Sequence, residues 1–247
     1  MPRPSKGIRL MSMDRLTSEK KIDMSLPVDH ASASAIVSKV RVVDHAEVFT
    51  SEREISQMLD LVGHECERLE SRFLEPACGT GNFLAEVLLR KFASIASKKD
   101  LTGAEIERNT LLAVTSLYGI EILNDNLLKC RRRLLNITSV FLNEILGQSF
   151  DPRLLKSAEK VLELNIIQGD ALSMQYVGDS KGPIIFAEWA FIGDLNLKRR
   201  DFTFGHLIEF QEIAAEGLFS DLGDNVYIPS PVSDYPVVNY LELTDAY

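Results

Sequence analysis

The chain has little sulfur, little tryptophan, no long apolar run and no base near its C-terminus. Its 247 residues include three cysteines and one tryptophan. Cys66, Cys78 and Cys130 are too few for a disulfide framework and too far apart for a Cys-x-x-Cys metal site. A reducing, cytoplasmic setting is expected. No run approaches the roughly 18 apolar residues of a membrane-crossing helix, so no membrane partner is expected. Residues 1–21 are polar and hold no apolar signal core, which argues against export. His30, His45, His64 and His206 share no ligand spacing, so no metal is expected either.

Charge is unevenly placed. The net charge is −9, and beyond Arg200 there is no Lys or Arg. That stretch holds nine acids, among them Asp201, Glu209, Asp234 and Glu242, so residues 1–200 are neutral. Free-standing nucleic-acid binders are usually basic. DNA contact by this chain alone would rest on Arg131-Arg132-Arg133 and Lys198-Arg199-Arg200. Those triplets read first as solvated helix or loop ends. The acidic C-terminus is a candidate dock for a basic protein partner, or a mimic of DNA charge.

At 45% apolar and 26% charged, the chain is an ordinary globular sequence. Three regions are expected: a mobile arm over 1–40, a cofactor-binding domain over 41–205, and an acidic extension over 206–247. Ser51-x-x-Glu54 is a capping box, followed at helical spacing by Ile55, Met58, Leu59 and Val62. Residues 72–75 read as a strand running into a turn with two glycines, then a helix bearing Leu84, Val87 and Leu88. Further helices are expected over 104–117, 125–135 (with its basic triplet at the C-terminal end) and much of 137–163. Strands are expected at 117–121, 165–167 and 184–187. A short one is expected near 237–241. Alternating strands and helices imply an α/β fold with a mostly parallel sheet and helices on both faces.

Ligands of open parallel sheets bind at the carboxyl ends of the strands. Three such ends carry suitable chemistry. The first is Glu75-Pro76-Ala77-Cys78-Gly79-Thr80-Gly81-Asn82-Phe83, neither a P-loop nor Gly-x-Gly-x-x-Gly. Its glycines permit close backbone approach and its helix offers free N–H groups, while its acid suits an amine or hydroxyl better than a phosphate. The second is Glu121, suited to ribose hydroxyls, and the third is Asp170, suited to an adenine amino group. Together they describe a cofactor with an amine, a ribose and an adenine but no phosphate.

Leu74-Glu75-Pro76-Ala77-Cys78-Gly79-Thr80-Gly81-Asn82-Phe83 resembles the S-adenosylmethionine motif of adenine-N6 DNA methyltransferases, in particular the modification subunits of restriction–modification systems. Glu47-Val48-Phe49-Thr50, Tyr118-Gly119-Ile120-Glu121 and Ile167-Gln168-Gly169-Asp170-Ala171 are similar to other segments of that family, in the same order. The resemblance spans about 42–191. It implies a Rossmann-like methyltransferase fold. It further implies that Phe49 and Thr50 hold the methionine end, with Thr50 on its carboxylate. Glu75 and the 77–81 backbone would enclose the amino acid. Glu121 would hold the ribose, Ile122 would lie against the adenine, and Asp170 would accept from its amino group beside Ala171. The spacing from Glu75 to Glu121 is 46 residues, against about 20 in a minimal Rossmann unit, so an extra helix is expected after the first.

The family's Asn/Asp-Pro-Pro-Tyr/Phe, which accepts the amine hydrogens and stacks on the flipped base, does not occur in the chain. In its place stands Glu188-Trp189-Ala190-Phe191. One register makes Glu188 the acceptor and Phe191 the aromatic; the other reading makes both structural. Beyond residue 191 the chain is short and acidic, so DNA recognition would need a specificity or second subunit. A non-enzymatic binding module remains the alternative.

Overall fold

The computed structural model describes residues 50–208 and 230–247. The predicted arm, Phe49, and five of the C-terminal acids (Glu209, Glu212, Glu216, Asp221 and Asp224) lie outside the described residues. The fold is α/β, with a mixed sheet that includes parallel strands.

Helix α1, Glu52–Asp60, begins at the capping box: Ser51 accepts from the Glu54 N–H and Glu54 reaches back to the Ser51 N–H. Only Ile55 and Leu59 of its predicted apolar face are buried; Met58 and Val62 are exposed. Helix α2, Gly63–Glu67, follows and leads to strand β1, Phe73–Glu75. The loop between them is clamped by Lys91, fully buried, whose ammonium donates to the carbonyls of Arg68, Leu69 and Ser71 at 2.7, 3.0 and 2.7 Å. Three acceptors compensate a buried charge that would otherwise be costly.

Helices α3, Asn82–Ser97, and α4, Gly103–Thr115, come next, α4 with a second capping box from Thr102 and Glu105. Helix α4 is the predicted extra helix. Strand β2, Leu117–Glu121, is buried throughout. Helix α5 runs from Asn124 to Leu146, longer than predicted, until Gly147 ends it. The basic triplet is therefore inside the helix rather than at its C-terminal end. Helix α6, Arg153–Asn165, delivers strand β3, Ile166–Asp170.

Strands β1, β2 and β3 pair in that order, both pairs parallel, and a short antiparallel β4, Gln175–Tyr176, borders β3. Helices α3 and α5 cover one face, where Phe92 and Phe141 stack with centroids 4.3 Å apart. The other face presents Tyr118, Ile120 and Ile167, which pack on Ile184, Phe186 and Phe204. Phe202 and Phe204 are buried, as core residues rather than a stacking platform.

Here the structure departs from the predicted arrangement. The expected fourth strand is β5, Ile185–Ile192, which forms a long antiparallel hairpin with β6, Asn196–Thr203, in a separate sheet. Two short strands, β7 (Ser233–Asp234) and β8 (Val238–Asn239), pair with β6 before the terminal helix α7, Leu243–Ala246. The hairpin, not a layer of helices, covers the second face of the parallel sheet. Tyr118 fixes it by donating its hydroxyl to the Ala187 carbonyl at 2.9 Å.

Candidate functional site

The carboxyl ends of β1, β2 and β3 lie side by side because the strands are neighbours and parallel. After β1 the chain turns through Pro76 and Ala77, both exposed, and returns so that the Cys78 N–H bonds the Ile120 carbonyl at 2.9 Å. Gly79 has φ +53° and open space where a Cβ would project. Gly81 has φ +83° and sits against Cys130 of α5. The two glycines therefore differ: Gly79 leaves room above the turn, and Gly81 lets the turn lie on a helix. Cys78 is a buried filler, its thiol pushed up by the neighbouring Cys130 thiol and by burial.

Gly81 is the N-cap of α3 and has no side chain to close it. The first-turn N–H groups at Asn82 and Phe83 are thus left for other partners. Asn82 instead uses its side chain, accepting from Arg133 of α5.

Glu121 is buried at the tip of β2. One carboxylate oxygen accepts from the Gly79 N–H and the other from the Leu123 N–H, both at 2.8 Å. A carboxylate has about four acceptor positions, so half remain available for hydroxyls. Asp170, at the tip of β3, accepts from the Leu172 N–H at 3.0 Å and the Ser173 hydroxyl at 2.7 Å. Those bonds, with a further one from the Ser173 backbone, hold its carboxyl below the usual range. Burial pushes the Glu75 carboxyl up; the Ala77 N–H counters it. Ile122, 45% exposed, follows Glu121, and Ala171 packs at the edge of the core beyond Asp170. Thr50 is exposed, immediately before the cap of α1.

Two cavities contain none of these residues. One, of about 430 Å³, runs along the side of β3 and is lined by Asn124, Arg131, Gln168, Arg199 and Asp201 among others. The other, of about 570 Å³, lies between α2 and α3 near Cys66 and Arg90. Neither lies at the strand tips.

Glu188 and Phe191 do not join it. Strand β5 starts beside Gly169 and Met174, at the carboxyl ends, and runs down the sheet face. By Glu188 it has reached Arg72, which precedes β1, and by Trp189 it has reached Asn165, which precedes β3. Glu188 accepts from Arg72 at 2.9 Å and from Arg200 at 2.5 Å. Phe191 lies under the Arg108 guanidinium, 4.6 Å from its ring centre, and near Tyr240. A carboxylate held by two guanidiniums at the amino ends is a clamp, and the aromatic is packing. The register that made them acceptor and stacking ring is corrected on that ground.

Most of the basic triplets are engaged by partners within the fold. Arg131 donates to the Glu163 and Ile166 carbonyls. Arg199 is buried against Asp201 and faces Trp189, Tyr235 and Tyr247. Lys198 pairs with Asp234 and Arg200 with Glu188. Of the six, Arg132 is exposed on α5. The sequence reading missed Ser173, Arg133 and Cys130 as supports of the site. Asp-x-x-Ser after a strand is a turn signature that marks Ser173; nothing local marks the other two.

No family model, curated protein or solved structure matches this chain. Among the described residues no group of His, Cys, Asp and Glu is arranged to hold a metal, and no helix is long and apolar enough to cross a membrane.

Proposed function

We propose that this chain binds S-adenosylmethionine across the tips of β1, β2 and β3, on a Rossmann-like methyltransferase fold. In this reading it is the cofactor-binding part of an adenine-N6 DNA methyltransferase of a restriction–modification system. The observation that carries the reading is one juxtaposition. An open glycine turn, Glu121 and Asp170 sit on three adjacent parallel strands, in the order the motifs require. Glu75, its carboxyl partly desolvated, would receive the amino group. Glu121, already tied to the turn through Gly79, would take the ribose hydroxyls with its remaining lone pairs. Asp170 would accept from the adenine amino group, with Ile122 against the ring.

Catalysis by Glu188 and Phe191 forms no part of this reading, because neither reaches the crevice. In methyl transfer the substrate amine must be held in line with the sulfonium, and the described strand tips supply no group to hold it beyond the cofactor's own partners. DNA recognition falls to a second subunit, since most of the basic triplets are engaged within the fold. A second reading, protein docking or DNA mimicry by the acidic C-terminus, has less behind it: Asp201 and Asp234 are paired with Arg199 and Lys198.

Titration calorimetry with S-adenosylmethionine tests the reading. Asp170→Ala and Glu121→Gln should each weaken binding by about 10- to 100-fold, the loss of one or two charge-assisted hydrogen bonds. Undiminished binding in both variants, or no binding by the folded protein, removes it.

A further inference from the structure

The cavity beside β3 has a cause in the topology. Strand β4 pairs only with Gly169 and Asp170, at the end of β3. Before that point the hairpin of β5 and β6 stands off from β3, and a space of about 430 Å³ is left between them. Small-molecule sites fall in the range of about 300–1,000 Å³. The apolar walls come from four places in the fold: Leu127 of α5, Ile167 of β3, Val177 after β4 and Ile185 of β5. Glu75, Glu121 and Asp170 are not among the walls.

Two guanidiniums line this space, and they differ in how their charge is met. Arg199 donates from Nε and Nη2 to the two carboxylate oxygens of Asp201, both at 2.8 Å. Asp201 also accepts from the Tyr235 hydroxyl at 3.3 Å. That pair is buried and neutral as a unit. Arg131 donates from Nε and Nη2 to the Ile166 carbonyl at 2.9 and 2.6 Å, and from Nη2 to the Glu163 carbonyl at 2.8 Å. Its described acceptors are backbone carbonyls, so dipoles alone solvate its charge. Burial lowers the pKa of Arg131 from its ordinary value, and the Glu163 carboxylate offsets part of that. Such a group gains from an anion beside it. Nη1 of each guanidinium has no acceptor among the described residues. Glu163 and Asp179, the other carboxylates on the walls, are exposed.

We infer that this cavity binds a small organic monocarboxylate with a compact apolar body. Its carboxylate would lie on Arg131 and Arg199, and its body among Leu127, Ile167, Val177 and Ile185. The charge of the ligand follows from the charges of the walls. Arg199 is matched by Asp201, which leaves Arg131 as the guanidinium with no carboxylate of its own among the described residues. A monoanion completes that balance. A phosphate monoester, about −1.5 to −2 at pH 7, would set its further negative charge beside Asp201, Glu163 and Asp179. A neutral ligand would leave Arg131 as it is. The apolar walls select the body of the ligand. The site stands whether or not the strand tips hold S-adenosylmethionine, since the two share no proposed contact.

Nuclear magnetic resonance of the isotope-labelled full chain tests the inference. The probes are butyrate, isovalerate and phenylacetate, each against its neutral amide, with phenyl phosphate as the dianion. At least one carboxylate should shift the amides of Gln168, Val177 and Ala187 saturably. The tightest of them should bind about 10-fold or more tighter than its amide and than phenyl phosphate, the loss of a charge-assisted contact. Arg131→Gln should weaken that binding by about 10-fold or more. Val177→Trp fills the cavity from a half-buried wall position, keeps both guanidiniums and should abolish binding, so the question stays decidable if Arg131→Gln folds poorly. Arg132→Gln, exposed on the same helix and outside the cavity, should bind as the parent does.

Five results overturn the inference: no saturable shift with any of the three carboxylates, amides that bind as tightly as the acids, phenyl phosphate binding more tightly than all three, shifts that lie away from the cavity, or undiminished binding in Val177→Trp.

Discussion

Gly81→Ala is the most direct probe of why the turn has its shape. A Cβ at this position would lie 2.6 Å from the Cys130 sulfur, 3.3 Å from its Cβ and 3.4 Å from its Cα. Comfortable contact is about 3.5–4.0 Å between carbons, so the sulfur overlap is about 1 Å or more. Cys130 is fully buried inside α5, and its Cα moves only with the helix. Overpacking of this kind costs about 1–3 kcal/mol. The φ of +83° adds about 1–2 kcal/mol for any residue with a Cβ. The sum is about 2–5 kcal/mol, measured as a shift in urea midpoint at unchanged slope. Cys130→Ala removes the sulfur and leaves the φ cost. In the double variant about 1–2 kcal/mol should therefore return as a coupling energy. A Gly81→Ala variant as stable as the parent, or a cycle with no coupling, would refute the packing account.

Other expectations follow from the same geometry. Lys91 is held by burial at about 8, against an ordinary 10.5. Between those values the unfolded chain binds the extra proton, so this group's contribution is complete above about 10.5 and is lost as pH falls through about 8. Chemical denaturation from pH 7 to 10.5 should show that rise in the parent and not in Lys91→Met; parallel curves would contradict it. Asn165→Ala strands the Trp189 N–H and the carbonyls of Thr115 and Leu117, and should cost on the order of 2–4 kcal/mol by thermal melt. Glu188→Gln should lower stability by about 1 kcal/mol and leave S-adenosylmethionine binding within about threefold. A larger effect on binding would return Glu188 to the site.

Much of the local structure was legible because its causes are local. The Ser51–Glu54 capping box sets the start of α1 as expected; the Thr102–Glu105 box at α4 has the same spacing and went unread. The strand at 117–121 has the predicted bounds, and the two-glycine turn follows β1 as expected. Periodicity overreached where a helix has only a narrow buried stripe: Met58 and Val62 satisfy the spacing yet face solvent. It also placed a break near residue 136, where α5 runs on to Leu146 because Ile137, Phe141 and Leu142 continue its buried face.

What the sequence by itself determined is the three parallel strands, the main helices between them and the chemistry at the strand ends, since caps, turn glycines and terminal acids act within a few residues; the eight-residue strand at Asn196–Thr203 was not among them. The partners of those elements were decided only in three dimensions. Ile185–Ile192 has the composition of a buried strand, and nothing in it chooses between extending the parallel sheet and folding back on Asn196–Thr203. That choice came from distant contacts: Tyr118 on Ala187, Trp189 on Asn165, and Glu188 between Arg72 and Arg200. The same contacts carry Glu188 and Phe191 to the amino ends, because a strand's direction, which no local rule encodes, decides which end of the sheet its side chains reach.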